Sequence, residues 1–69
     1  MSGIKYSVFV EKIMTGKALV RVNEKWYAWI EHSDYCGPRS LLKKGNTLTI
    51  IGELYRNSGK LHLLVKKTL

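Results

Sequence analysis

The chain is poor in the residues that staple, kink or span. Of its 69 residues one is cysteine, one is proline, one is phenylalanine, and five are acidic. A lone Cys36 cannot close an internal disulfide, so the fold must hold without a covalent staple, and a reducing, cytoplasmic setting is expected. No apolar run approaches the roughly 20 residues a helix needs to cross a bilayer, so no membrane partner is expected. Met1-Ser2-Gly3 leads straight into patterned sequence, without the apolar stretch of a secretory leader. A zinc ion needs a tetrahedral set of ligands. His32, Asp34 and Cys36 lie close together, but the other histidine, His62, falls in a separate stretch, so no metal site and no cofactor is expected. A Cys–His nucleophile pair would need a cleft that so short a chain hardly provides, and the protein reads as non-enzymatic. Residues 1–69 make a single domain with no repeat, linker or low-complexity tract.

What is abundant is positive charge. Twelve Lys and Arg against five Asp and Glu leave a net charge of +7. Residues 1–38 account for +1 of it, whereas residues 39–69 carry +6, with Arg39, Lys43, Lys44, Arg56, Lys60, Lys66 and Lys67 facing Glu53 alone. Polyanions are the natural partners of such a surface; the bland alternative is a solvated basic protein. The apolar content of 45% is enough for a core and too high for a disordered tail.

The hydrophobic period is two almost throughout, which predicts strands. Ile4, Tyr6, Val8 and Val10 alternate with Lys5, Ser7, Phe9 and Glu11 until Thr15-Gly16-Lys17 breaks the run. Ala18, Val20 and Val22 alternate with Leu19, Arg21 and Asn23, and Asn23-Glu24 turns the chain into a strand over about residues 25–31. Gly37-Pro38, Leu41-Leu42 and Lys43-Lys44-Gly45 predict a short helix of one or two turns, with proline at its start and cations and glycine at its end. Leu48, Ile50, Gly52 and Leu54 then share one face of a fourth strand, and Leu61, Leu63 and Val65 one face of a fifth, joined by Asn57-Ser58-Gly59. Strands in this number on so short a chain must close to bury their apolar side. The order predicts an all-β fold, a small five-stranded OB barrel with its helix between strands 3 and 4. Gly16 and Gly52 suit the bends or bulges of such a barrel.

The stretch Lys25-Trp26-Tyr27-Ala28-Trp29-Ile30 carries the functional signal. Alternation puts Trp26, Ala28 and Ile30 on the core side and Lys25, Tyr27 and Trp29 on the other. Flat rings beside cations on a β-surface are what stacking of single-stranded nucleic acid requires. An OB barrel binds across strands 2 and 3, flanked by the loops joining strands 1 to 2 and 4 to 5. That places Arg21, Asn23, Lys25, Tyr27 and Trp29 on the face, Lys17 near the first loop, and Tyr55, Arg56 and Lys60 at the second. His62, turned away from Leu61 and Leu63, is expected at the surface and within reach of ligand. The competing reading of Tyr27 and Trp29 is that they pack under the helix or a chain end, since a small barrel needs every large side chain it can bury.

Over roughly residues 8–67 the chain resembles the RNA-binding domain repeated in ribosomal protein S-one, a family to which bacterial translation initiation factor one is similar. Val10, Ile13, Gly16, Val20 and Val22 resemble its opening hairpin, and Trp29-Ile30-Glu31-His32-Ser33 its apolar pair with histidine and serine. Leu42, Gly45, Leu48 and Ile50 resemble its helix-to-strand passage, and Lys60-Leu61-His62-Leu63-Leu64-Val65-Lys66 its closing strand. Tyr27-Ala28 stands where the family has glycine, and His32 is one position off the family's histidine. The resemblance implies an OB fold and a single-stranded RNA ligand, favoured over DNA, bound with little sequence readout. Leu19, Ile51 and Leu64 fall on the outward parity of their strands, which motivates a rival expectation: a small basic subunit that docks a protein partner, or a second copy of itself, through them.

Overall fold

The computed structural model describes residues 3–69. Alternation becomes strand wherever it was predicted. β1 spans Ile4–Met14, β2 Lys17–Val22, β3 Trp26–Glu31, β4 Thr47–Asn57 and β5 Lys60–Thr68. They close into a barrel in the order β1-β2-β3-β5-β4, with β3 and β5 parallel and every other pair antiparallel. This is the OB arrangement, and the pairing of Trp29 with His62 closes the sheet.

The β2–β3 and β4–β5 turns use a left-handed backbone, which Asn23 and Gly59 tolerate and which Glu24 and Ser58 adopt beside them. Asn23 and Glu24 both have positive φ (51° and 61°), and Lys25 N–H returns to Val22 C=O at 3.0 Å. Such a two-residue turn matches the strand twist. Asn23 also ties β1 to it twice: its side-chain oxygen accepts Ser7 N–H at 3.0 Å, and its own N–H donates to Ser7 C=O at 2.7 Å. Ser58 and Gly59 (φ 54° and 78°) make the equivalent turn between β4 and β5.

Two register shifts coil the long strands, one between Val10 and Lys12 on β1 and one between Ile51 and Gly52 on β4. A bulge bends and twists a strand, as closing so small a barrel requires. Gly52 lies at the second shift, opposite which Lys66 is the extra residue of β5. Any Cβ there would run into the carbonyl of Leu64, so the strand crossing is built on a missing side chain.

Inside lie Val8, Val10, Ala18, Val20, Val22, Ala28, Ile30, Leu48, Ile50, Leu63 and Val65, and Leu42 enters from the β3–β4 connection. Burying each large aliphatic contributes about 1.5–3 kcal/mol. The connection differs from the predicted helix. It holds two separate 3₁₀ turns, His32–Asp34 and Arg39–Leu41. Only Leu42 of the apolar pair is buried, and Asn46 Nδ2 donates to Leu41 C=O at 3.0 Å, closing the second turn early. Between Pro38 and Gly45 too few residues remain to offset the nucleation cost of an α-helix.

Candidate nucleic-acid interface

Outside the barrel, residues in cross-strand register line up as two rows. In the first, Phe9 of β1, Arg21 of β2 and Tyr27 of β3 are neighbours. In the second, Leu19 of β2 is followed by Trp29 of β3, His62 of β5 and Tyr55 of β4. Strand alternation therefore delivers flat side chains from four strands to one continuous outer surface.

Cations lie on two of these rings and on Trp26, which has the opposite parity. Lys17 Nζ sits 4.6 Å from the Trp29 ring centre, Arg21 Cζ 5.5 Å from that of Phe9, and Lys25 Nζ 5.7 Å from that of Trp26. All fall within cation–π range. Each pair sets a positive charge beside a flat apolar surface, the two things a nucleotide offers partners for. Tyr27 is 55% exposed and Trp29 half-buried. Arg21 is further held by Glu11 at 3.2 Å, which spends part of its charge.

Of the residues expected at the site, Lys17, Arg21, Tyr27 and Trp29 share this face, and Tyr55 joins it from β4. Lys60 opens β5 two positions before His62, on the same outward parity, and is exposed. Arg56 is not brought there: it pairs with Leu61 and has the inward parity of Leu54, so it stands at the tip of the β4–β5 hairpin. Asn23 uses its side-chain oxygen on the Ser7 amide. Lys25 lies over Trp26 at the barrel end.

Two expectations are corrected. Trp26 has the inward parity assigned to it, yet it is 50% exposed. It is the first residue of β3, directly after the turn, at the barrel end, where the Lys25 side chain lies over the indole. His62 has the outward parity assigned to it, yet it is buried, with 7% of its surface exposed. Tyr55 stacks on its ring (centroids 5.2 Å apart), Glu31 Oε2 approaches Nδ1 at 3.7 Å, and the 3₁₀ turn His32–Asp34 packs against β5. His62 thus supports the face from beneath.

Tyr55 is fixed in turn. Its hydroxyl donates to Asp34 at 2.5 Å. That bond, with desolvation and the negative charges of Asp34 and Glu31, pushes the phenol up from 10.0 to about 12. His32, Asp34 and Cys36 each make a separate contact. Asp34 holds Tyr55, His32 Nδ1 lies 3.4 Å from Arg39, and Cys36 is exposed with its carbonyl accepting from Thr68. Among the described residues no three His, Cys, Asp or Glu converge as a metal would need.

Leu19, Ile51 and Leu64 are half-buried, and the register sets a charged residue beside each: Lys12, Lys5 with Lys67, and Glu53 respectively. Phe9 was the contributor hardest to foresee, although its place among Lys5, Ser7 and Glu11 marks it as an aromatic on the polar side of β1.

Comparison of the chain with protein-family models, curated proteins and solved structures gave no match in any of the three.

Proposed function

We propose that the protein is a non-enzymatic binder of single-stranded nucleic acid, using the outer face of β2 and β3 with its flanking hairpins. The observation that carries this is the set of cation–ring pairs beside exposed Tyr27, on a protein of net charge +7. Lysines attract the phosphates, releasing counterions, and bases stack on Tyr27 and Trp29. Stacking tolerates any base, so most positions along the strand are unread. RNA is favoured over DNA, on the strength of the resemblance to the S-one type domain.

Fluorescence anisotropy with a labelled octameric uridine RNA and its DNA counterpart tests this. Tyr27→Ala and Trp29→Ala are each expected to weaken binding by about tenfold, corresponding to the ~1–3 kcal/mol of a stacked base. Unchanged affinity in both variants would remove the stacking face. A stoichiometric, nuclease-resistant protein complex in place of RNA binding would point instead to docking through Leu19, Ile51 and Leu64.

A further inference from the structure

Beside the stacking face, on the β1 side, the surface opens into a cavity of about 270 Å³ lined by Ser7, Phe9, Arg21, Glu24 and Thr47. We propose that this pocket takes a guanine base of the bound strand. The inference rests on the proposed function and adds to it one position that is read.

Size comes first. The cavity lies just below the roughly 300 Å³ at which sites for small molecules begin, which suits a single ring system. Its position comes next. Arg21 is the cross-strand neighbour of both Phe9 and Tyr27, so a strand stacked on Tyr27 reaches the pocket by crossing one residue.

Chemistry then selects the occupant. The Arg21 guanidinium lies over the Phe9 ring, so a flat cation backed by an aromatic forms one wall for stacking. Glu11 holds the guanidinium through Nη2 at 3.2 Å and fixes its plane beside the pocket. Glu24 lines the pocket as a carboxylate and accepts only, so it wants donors. A phosphate fails this test: Glu11 already offsets Arg21, and Glu24 repels a second anion. Guanine meets it. Its adjacent N1–H and N2–H₂ match the two oxygens of a carboxylate, and its flat bicycle can stack on the Arg21 guanidinium. Cytosine and adenine bring one amino group each. Uracil brings a lone N–H between two carbonyls, which the carboxylate disfavours.

Two measurements test it on the whole protein. Amide shifts followed by NMR during titration with GMP should move Ser7, Phe9, Glu24 and Thr47 saturably, whereas UMP should not. In anisotropy, replacing one central uridine of the octamer by guanosine should tighten binding by about tenfold, the scale of one good base contact. E24Q should erase that ratio. Equal responses to GMP and UMP, or a ratio that survives E24Q, overturn the pocket. If the all-uridine octamer binds and guanosine adds nothing, the stacking face stands without the pocket. If GMP fills the pocket and no RNA binds, the guanine site stands and the strand-binding role falls.

Discussion

Trp29 shows how one residue is assigned to several tasks at once. Its ring lies between Leu19 and His62 across the strands, and Lys17 covers it from solvent. A base arriving there meets a ring already paired with a cation, so Lys17 is expected to serve as the phosphate partner. Lys17→Met should lower the slope of log affinity against log salt by about 1 and weaken all sequences alike. Tyr55 invites a different experiment. Its folded-state pKa, raised to about 12 from 10.0, means that its bond to Asp34 stabilises the fold fully below pH 10. The contribution fades as pH rises through about 12, where the phenolate would face Asp34 and Glu31. Urea unfolding across that window should show a loss in the wild type that Tyr55→Phe lacks, and phenolate absorbance should place the transition. A Tyr55 that titrates at its ordinary value would show that the Asp34 bond does not form in solution.

At the scale of elements, the turns and the bulge are where small changes tell. Asn23 contributes both a left-handed backbone and a side-chain acceptor for Ser7 N–H. Asn23→Gly keeps the first and loses the second; Asn23→Ala loses both. The alanine variant should be less stable by about 1–2 kcal/mol, and the glycine variant should lie between it and the wild type. Gly52→Ala puts a methyl group against the Leu64 carbonyl and should cost about 1–3 kcal/mol or prevent folding, as thermal melts would show. The strands themselves were legible because alternation is dictated by burial, and the turns because Asn23 and Gly59 tolerate positive φ. The helix was not legible as such. Proline, leucines and glycine mark a start and a stop, but they do not report how few residues lie between them. Parity gave the direction of Trp26 and His62 and missed their burial for one reason: exposure depends on where the barrel ends and on what crosses outside it. Both are set by register and by the path of residues 32–46, which no local pattern records.

For the whole molecule, closure is what turns a pattern into a surface. Parity alone puts Tyr27 and Trp29 on one side of a strand; only the parallel pairing of β3 with β5 sets His62 and Tyr55 beside Trp29. The same closure carries Arg56 away from that side, to the tip of the β4–β5 hairpin. The charge excess was visible in the composition, but its division was not. Glu11 takes up Arg21 and Glu53 takes up Lys66 at 2.7 Å, whereas the lysines on Trp29 and Trp26 rest on rings. Exposed ion pairs of this kind contribute little to stability, so their larger consequence is to decide where the positive field remains. The central claim is that bases stack on Trp29 while lysines neutralise phosphates, and tryptophan fluorescence tests both halves together. A Trp26→Phe variant leaves Trp29 as the reporter, and an octameric uridine RNA is titrated into it at about 50 and 200 mM salt. The account predicts saturable quenching at the lower salt and affinity at least tenfold weaker at the higher. No quenching at low salt, or binding indifferent to salt, would contradict it.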